Sequence, residues 1–458
     1  MNTKKKTTSN DTIKFIDLFA GMGGFRLGFE QAVLEQKKQP VCVFSSEIKP
    51  YAIQVYKDNY NNEDVAGDIT KIDSSEIPDF DVLLAGFPCQ AFSSAGKRQG
   101  FLDTRGTMFF EVERILKEKK PQGFILENVD GLVKHDLLNK SDEMGQTLTI
   151  ILQSLRNLGY FVSWQVFDAS NFGVPQARKR IYITGTLNSS VNLDGFEPIV
   201  NTLDSVLEKN KPLLQGKLID LLLNHYQIDD LYGKSVKDKR GGSNNIHSWD
   251  IELKGSVSKD QRELLGKIMR ARRNKKWAEL KGIQWMDGMP LTIEEITTFY
   301  EHPNLQEMLD DLCKKKYVKL EHPKDVVTFL DDNGIKKQKR EYREDIEKGY
   351  NIVAGKLSYE INKILDPKAV TPTLVATDLD RIVVPDGKGL RLLTDIEQKR
   401  LFGFPDDYIL NVKPKEAFDL FGNTVAVPVV KAVATRLLNA VFNSDKRDKK
   451  RHNQLELI

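Results

Sequence analysis

Cysteine is scarce in this chain of 458 residues, and the three that occur, Cys42, Cys89 and Cys313, lie far apart. An odd number of separated cysteines without a Cys-x-x-Cys pair argues against a disulfide framework and against a zinc cluster. The sequence therefore predicts an intracellular protein without a metal site. A chain of this length with 40% hydrophobic residues can bury one large core and a smaller second one, so we expect two domains.

Long apolar runs and a signal segment are also missing. No run reaches the roughly 18 to 20 residues that span a bilayer, and residues 1–10 are polar and rich in lysine. We therefore expect a cytoplasmic protein that does not enter a membrane.

A strong net charge is absent as well, since the total is only +3. The charge is unevenly distributed, however, because residues 232–285 hold fourteen Lys or Arg against six Asp or Glu. The basic run Lys267, Arg270, Arg272, Arg273, Lys275 and Lys276 could form a face that meets phosphates. A solvated helix surface is the alternative explanation of such a run.

Short β-branched runs alternate with amphipathic stretches from Lys14 to about Thr186, which is typical of a mostly parallel sheet flanked by helices. The predicted strands are 15–18, 41–45, 82–85, 124–126, 161–167 and 180–184. The predicted helices include 25–35, 50–59, 107–119, 143–158 and 428–442. Ligands of an open parallel sheet bind at the carboxyl ends of its strands. Residues 21–24, 47, 86–90 and 127–129 should therefore line one crevice.

After Asn188 the sequence changes character, with polar loops and a glycine-rich stretch at 241–245. Residues 291–299 and 305–313 predict two short helices, and an extended arm follows from Tyr317. This order suits a winged helix-turn-helix, although any pair of capped amphipathic helices gives the same pattern. The charged tail, 443–458, is expected to be disordered.

The first predicted strand runs into Gly21-Met22-Gly23-Gly24 and then a helix, so that backbone amides can approach a ligand closely. Glu47, at the end of the second strand, is placed to bind ribose hydroxyls, and Asp68 could accept a hydrogen bond from an adenine amine. Taken alone, such a turn can be purely structural, and each carboxylate can be a helix cap or a surface charge.

Cys89 follows the third strand in Pro88-Cys89-Gln90, and the next loop carries glycines at 96, 100 and 106 with basic residues between them. This arrangement suits a nucleophile under a mobile loop that contacts phosphate. Cys42 and Cys313, in contrast, are interpreted as inert thiols of the core.

Glu127 ends the fourth strand, where a carboxyl group in a closed site can stay protonated and act as a donor or an acid. Arg178 and Arg180 share one face of a strand, because strand side chains alternate with period two. Two guanidinium groups on one face could grip a phosphate or a base carbonyl, and a surface salt bridge is the alternative.

In chain order, these segments resemble the motifs of the C5-cytosine methyltransferases of bacterial restriction-modification systems. The motifs are Phe-x-Gly-x-Gly-Gly, Pro-Cys-Gln, Glu-Asn-Val, Gln-x-Arg-x-Arg, Arg391-Leu-Leu-Thr with Leu401-Phe-Gly-Phe-Pro-Asp, and Gly422-Asn-Thr-Val. The resemblance implies an α/β fold with a Rossmann-like, S-adenosylmethionine-dependent methyltransferase sheet, helices on both faces, and a smaller target-recognition domain. Its expected boundaries are 11–188 completed by 418–442 for the catalytic domain and 189–417 for the recognition domain, with a winged-helix-like part near 288–330.

The resemblance also implies a role for each matching residue. Cys89 would attack C6 of a cytosine flipped out of duplex DNA, Glu127 would contact N3 and the exocyclic amine, and Arg180 would bind O2 with support from Arg178. The positions that match the cofactor site for S-adenosyl-L-methionine are Phe19, Gly21, Gly23, Glu47, Ile48, Asp68, Ile69, Pro88, Met108, Asn423 and Val425.

The implied protein is a monomeric DNA (cytosine-5-)-methyltransferase, the modification enzyme of a restriction-modification system with a cognate restriction endonuclease. Three alternatives are a tRNA cytosine-5 methyltransferase, a catalytically silent DNA-binding regulator, and an amino-methyltransferase. The long basic insert favours duplex DNA over tRNA, and intact Cys89, Glu127 and Arg180 argue against a silent regulator. An amino-methyltransferase would need an Asp-Pro-Pro-Tyr type motif, where this chain has Pro88-Cys89.

Overall fold

A computed structural model of the chain describes residues 11–61, 63–88, 108–139, 141–238, 241–284, 288–330, 336–353 and 359–442. The chain forms two compact units. Unit 1 comprises Met1–Glu208, Pro367–Asp380 and Leu393–Ile458, and unit 2 comprises Lys209–Asp366 and Arg381–Leu392. Residues 189–208, 367–380 and 393–417 thus belong to unit 1, outside the predicted catalytic segments. The predicted boundaries separate catalysis from target recognition, whereas the two units are defined by packing. The predicted boundaries therefore stay a prediction.

Unit 1 contains six strands and seven helices among its described residues. They are β1 (Thr12–Leu18), α1 (Gly24–Glu35), β2 (Gln39–Ser46), α2 (Pro50–Asn59), β3 (Val82–Gly86), α3 (Met108–Lys119), β4 (Gly123–Val129), α4 (Gln146–Asn157), β5 (Phe161–Asp168), β6 (Lys179–Thr186), and after unit 2, α10 (Asp395–Phe402), α11 (Pro414–Asn423) and α12 (Val427–Phe442). Every strand and helix predicted for this unit is confirmed, with bounds that differ by three residues at most.

The strands of unit 1 form one sheet in the order β2-β1-β3-β4-β6-β5. Strands β1 to β4 pair in parallel, whereas β6 is antiparallel to both of its neighbours. This mostly parallel sheet confirms the predicted α/β class and brings the carboxyl ends of β1, β2, β3 and β4 to one edge.

Helices cover both faces of the sheet because apolar residues alternate in direction along its buried strands. Phe15 and Leu84 face one core with α1 and α12, where Phe29 and Val430 are buried. The core on the opposite face contains Ile16, Leu18, Leu83, Ala85 and Leu126 from the strands, with Phe109, Ile115, Ile151 and Leu155 from α3 and α4.

The C-terminal helix α12 closes the first of these cores. Together with α11 it forms the segment Pro414–Phe442, which contains an 18-residue stretch with a mean hydropathy of 1.6, high enough for a membrane span by composition. Its apolar side chains, among them Val433 and Leu437, are buried against the sheet instead. A core helix of a soluble fold passes the same compositional test, so the segment is weak evidence for a membrane.

Unit 2 is built from shorter elements around two cores. They are α5 (Lys217–His225), β7 (Ser235–Val236), β8 (Asn245–Ile246), α6 (Lys259–Ala271), α7 (Lys275–Leu280), α8 (Ile293–Thr297), α9 (Leu305–Lys314), β9 (Val318–Glu321), β10 (Lys324–Leu330), β11 (Lys336–Tyr342), β12 (Gly349–Ile352), β13 (Lys363–Ile364), β14 (Ile382–Asp386) and β15 (Gly389–Leu392). Its sheets are β15-β14-β13-β7-β8, β9 with β12, and β10 with β11. The two predicted short helices are confirmed as α8 and α9, and the winged-helix arrangement stays a prediction.

The basic run of unit 2 does not form a uniform surface. Arg272 is only 5% exposed, and its Nη1 donates to Asn351 Oδ1 at 2.7 Å. The expectation that the whole run meets phosphates is therefore wrong for Arg272, which ties the end of α6 to β12. Lys267, Arg270 and Arg273 line an open groove of about 510 Å³ instead.

Candidate active site at the carboxyl edge of the sheet

The turn between β1 and α1 has a backbone that few residues can adopt. Phe19 has a φ of 56°, and Gly23, which caps α1, has a φ of 82°. A Cβ at Gly23 would lie 2.4 Å from the Tyr60 ring. The Tyr60 hydroxyl donates to the Gly23 carbonyl at 2.8 Å, and the Tyr408 hydroxyl donates to the carbonyl of Met22. Sequence reasoning missed both tyrosines, which hold the turn from behind.

Glu47, directly after β2, joins this turn to its own loop. Its Oε2 accepts the Gly21 amide at 2.8 Å, and its Oε1 accepts the amides of Ile48 and Lys49 at 2.8 and 2.9 Å. Since a carboxylate has about four acceptor positions, about one remains for a further donor such as a ribose hydroxyl.

Asp68 lies beside the end of β2, because the backbone of Ala66 pairs with Ser45 and Glu47. The Asp68 carboxylate accepts from the hydroxyl and the amide of Thr70, at 2.8 and 3.1 Å. These bonds hold the pKa of Asp68 below its ordinary value, so it stays an acceptor. Ile69, the neighbouring predicted cofactor residue, is buried in the core.

The surroundings of the turn fit S-adenosylmethionine in three respects. Ile48 is 68% exposed and offers apolar surface for a purine ring. Glu47 keeps acceptor capacity, and Asp68, whose pKa is lowered, is an ionised acceptor for an amine. In the described part of the chain, no group of three or more metal-ligating side chains lies together.

The C-terminal motif, residues 422–425, packs against this turn within unit 1. A Cβ at Gly24 would lie 2.7 Å from Thr424 Oγ1 and 3.4 Å from Val425 Cγ2. Asn423 donates to the backbone and side chain of Asp419. Asp419 in turn accepts from Lys49 at 2.5 Å and from Tyr51 at 2.7 Å. Of the two residues predicted from sequence, Asn423 is thus linked through Asp419 to the loop that carries Glu47, and Val425 lies beside Gly24.

Arg178 is the residue that fixes the C-terminal motif from the sheet side. The residue is 2% exposed, and its guanidinium donates to the carbonyls of Gly422 and Thr424 at 3.1 and 2.6 Å. It also lies over the ring of Phe402, 5.4 Å from the centroid. These contacts fit a supporting role, whereas its contact with a substrate stays a prediction.

Glu127 and Arg180 form an ion pair at the carboxyl end of β4. Because Val129 opposes Arg180 in the ladder, Arg180 is the diagonal neighbour of Glu127 on one face. Arg180 Nε lies 3.1 Å from Glu127 Oε1, with side chains 14% and 11% exposed. Burial raises the pKa of Glu127, although the charges of Arg180 and Arg178 favour its ionised form. The pair therefore offers an easily protonated carboxyl group beside a fixed cation.

The exit of β3 lies directly beside Glu127. A Cβ at Gly86 would lie 3.5 Å from Glu127 Oε2. Asn128 is 1% exposed, and its Nδ2 donates to the carbonyl of Phe87 at 3.2 Å. This bond fixes the chain just before Pro88. The sequence did not predict this role of Asn128. Cys89 and the loop 91–106 lie outside the described residues, and Met108 is the first residue of α3.

Comparison with known proteins identifies the family of the chain. The C-5 cytosine-specific DNA methylase family matches residues 13–439. Type II methyltransferase M.NlaIV of Neisseria lactamica is 56% identical over 429 residues, covering 94% of this chain and 99% of the relative. Type II methyltransferase M.BanI of Aneurinibacillus aneurinilyticus is 39% identical over 458 residues, covering 94% and 97%.

Solved structures show the same fold at low sequence identity. The S. pombe Dnmt2 methyltransferase has a TM-score of 0.50 and 15% identity, covering 93% of this chain and 98% of its own. The Entamoeba histolytica methyltransferase EhMeth also has a TM-score of 0.50, with 14% identity and coverage of 94% and 98%. The family predicted from the motifs is confirmed, and the chain belongs to the C-5 cytosine-specific DNA methylases.

Proposed function

We propose that this enzyme flips a cytosine out of a specific duplex site and methylates its C5 through a covalent adduct between Cys89 Sγ and C6. The observation that carries the proposal is the Glu127–Arg180 pair beside the exit of β3. A base placed there would meet an acid and a cation, and Cys89 follows Pro88 in the sequence. Flipping is needed because C6 is out of reach within a stacked duplex, and it costs a few kcal/mol.

Cys89 is the nucleophile in this proposal. Its thiolate would add to C6, and the electron pair released towards C5 would take the methyl group while the methyl–sulfur bond of the donor breaks and leaves a neutral thioether. Removal of the C5 proton by a base then expels the thiolate and restores the aromatic ring. A soft thiolate suits reversible addition to an electron-poor ring, whereas a serine hydroxyl would need a strong base beside it.

Glu127 and Arg180 hold the base while the thiolate adds. Protonated Glu127 donates to N3 and accepts from the exocyclic amine, which stabilises the charge that develops on the ring. Arg180 donates to O2, and Arg178 keeps the C-terminal motif in place. The burial that raises the pKa of Glu127 supports this assignment.

S-adenosylmethionine supplies an electrophilic methyl group when bound. We propose that Phe19, Gly21, Gly23, Glu47, Ile48, Asp68, Ile69, Pro88, Met108, Asn423 and Val425 form its site. Glu47 and Asp68 would accept from its hydroxyl and amine groups, and Ile48 would cover its purine ring.

The other cysteines are poor candidates for the nucleophile. Burial raises the pKa of Cys42 to about 12, and burial also raises the pKa of Cys313. Thiols with raised pKa values hold little thiolate at neutral pH.

Replacing Cys89 with serine tests the proposal. We expect Cys89→Ser to lose methyl transfer while its affinity for duplex DNA stays within about threefold. Cys313→Ser is the matched control and should keep full activity. The measurement is transfer of a labelled methyl group to duplex DNA and, in parallel, to tRNA, with bisulfite sequencing to locate the product. Methylation by Cys89→Ser, or transfer to tRNA alone, would contradict the proposal.

The relatives that are named type II methyltransferases support a place in restriction-modification. We propose that the enzyme acts in the bacterial cytoplasm and protects the site cut by a cognate restriction endonuclease. That it acts as a monomer stays a prediction.

A further inference from the structure

Strands β10 and β11 form a ribbon that contributes little to either core of unit 2. They pair antiparallel from Lys324 opposite Tyr342 to Leu330 opposite Lys336, and no other described strand pairs with them. All seven side chains of β11 and the last four of β10 are exposed. An isolated two-stranded hairpin is only marginally stable in water. The exposure of this ribbon therefore suggests a role in binding rather than in packing.

The two faces of the ribbon differ in charge. Opposed residues of an antiparallel pair share a face, and successive residues alternate. The face that we call the basic face consists of Lys324, Val326, Thr328, Leu330, Lys336, Gln338, Arg340 and Tyr342. It has three cations and no carboxylate. The second face consists of Asp325, Val327, Phe329, Lys337, Lys339 and Glu341, with two carboxylates.

The second face is tied to the rest of unit 2 and to itself. Asp325 Oδ1 accepts the Gln284 amide at 3.0 Å, and Arg343 lies 3.6 Å from its Oδ2. Lys339 pairs with Glu341 at 2.6 Å and lies 5.3 Å from the Phe329 ring. These contacts fix the base of the ribbon. The second face has two lysines and two carboxylates, whereas the basic face has three cations and no carboxylate, so the basic face is better suited to a polyanion.

The dimensions of the ribbon match the major groove of DNA. That groove is about 12 Å wide and admits a two-stranded ribbon, whose strands lie about 4.8 Å apart. Gln338 and Arg340 are two residues apart on one face, which is about 7 Å along a strand. Two base-pair steps of about 3.4 Å span the same distance.

We infer that the ribbon β10–β11 enters the major groove of the substrate duplex with its basic face towards the bases, a proposal that rests on the proposed function. Arg340 is suited to a guanine and Gln338 to an adenine, because each can form a bidentate contact with that base edge. Lys324 and Lys336, at the two ends of the basic face, bind phosphates on either side of the groove.

The test is base preference in methyl transfer. The full chain, S-adenosylmethionine and a pool of duplexes of randomised sequence are incubated, and methylated sites are read by bisulfite sequencing. We expect the double variant Gln338→Ala with Arg340→Ala to methylate the wild-type site about tenfold to a hundredfold more slowly and to accept other bases there. The matched control, Lys337→Ala with Lys339→Ala, removes two charges from the second face and should keep the wild-type preference.

Arg340→Lys separates base reading from charge and from loss of folding. Lysine keeps the charge but cannot form the planar bidentate contact, so this variant should also broaden the preference while thermal unfolding stays that of the wild type. Unchanged preference in both basic-face variants would overturn the inference. Loss of preference in the control alone would overturn it as well.

Failure of the proposed function gives a different result. If the wild type methylates no duplex, the proposed function fails, and the ribbon is then tested by sequencing the duplexes that each protein retains from the pool. A dimer in sedimentation that the basic-face variants abolish, with DNA preference unchanged, would assign the ribbon to a second copy of the chain and overturn the inference.

Discussion

Two opposing electrostatic effects act on the pKa of Glu127. Burial disfavours its charge, while Arg180, at 3.1 Å, and Arg178 favour it, and the balance raises its pKa. A raised pKa makes a carboxyl group easier to protonate than an exposed one, which suits a general acid. Its raised pKa therefore links the chemistry of the site to the stability of unit 1.

We expect Glu127→Gln to lower kcat by about 10² to 10⁴, the usual contribution of a general acid. Duplex affinity should stay near the wild-type value, because an amide can still donate to N3 and accept from the amine. Single-turnover methyl transfer and equilibrium binding separate the two effects, and Glu118→Gln on the exposed side of α3 is the control. A wild-type kcat in Glu127→Gln would remove Glu127 from the mechanism.

The same substitution has a pH-dependent effect on stability. Since the folded pKa lies above the 4.5 of an exposed glutamate, the stabilisation by protonated Glu127 is complete below pH 4.5 and is lost as pH rises through the raised pKa. Glutamine does not titrate, so the Tm of Glu127→Gln minus that of the wild type should increase as pH rises from 4.5. A pH-independent difference in thermal unfolding would show that the carboxyl group is not strained by burial.

At the scale of elements, the contact between α1 and α12 packs the C-terminal helix against the helix that follows the first strand. Gly28 lies in this contact, since a Cβ there would be 2.8 Å from both Val427 O and Val430 Cβ. In α6 of unit 2, Gly266 has no atom within 4 Å of such a Cβ. The two helical glycines therefore provide opposite tests of packing.

We expect Gly28→Ala to lower stability, because overpacking costs about 1 to 3 kcal/mol and exceeds the roughly 1 kcal/mol that alanine gains over glycine in a helix. Gly266→Ala, its matched control, should raise stability by about 1 kcal/mol. Denaturant unfolding of both variants measures the signs. Stabilisation by Gly28→Ala would mean that α12 can shift away from α1 without loss.

At the scale of the whole molecule, affinity for DNA should depend on the charge of unit 2. We expect alanine at Lys267, Arg270, Arg273 and Lys276 to weaken binding of all sequences alike, with no change in the methylated site. For every phosphate that the variant no longer binds, the slope of log affinity against log salt should become shallower by about 0.9. Fluorescence anisotropy over a salt series measures the slope, and the wild-type slope in this variant would place the phosphate-binding residues elsewhere.

Local pattern was sufficient for the strands, helices and crevice of unit 1. Alternating apolar residues determine which face of β1 or β3 is buried, and the parallel order places Glu47, Glu127 and the glycine turn at one edge. The same reasoning failed for Arg272, because burial beside Asn351 depends on packing within unit 2 rather than on a charge pattern.

The sequence by itself determined the family and the order of elements, because both depend on short motifs and residue periodicity, and it supplied the proposed reacting groups. Only the tertiary structure decided which residues support them. Asn128 reaches Phe87 across 41 residues, and Tyr408 reaches Met22 across 386. The pKa of Glu127 likewise depends on burial, which raises it, and on Arg180 from another strand, which opposes that rise. Such contacts form only when distant segments pack together, so no local pattern encodes them.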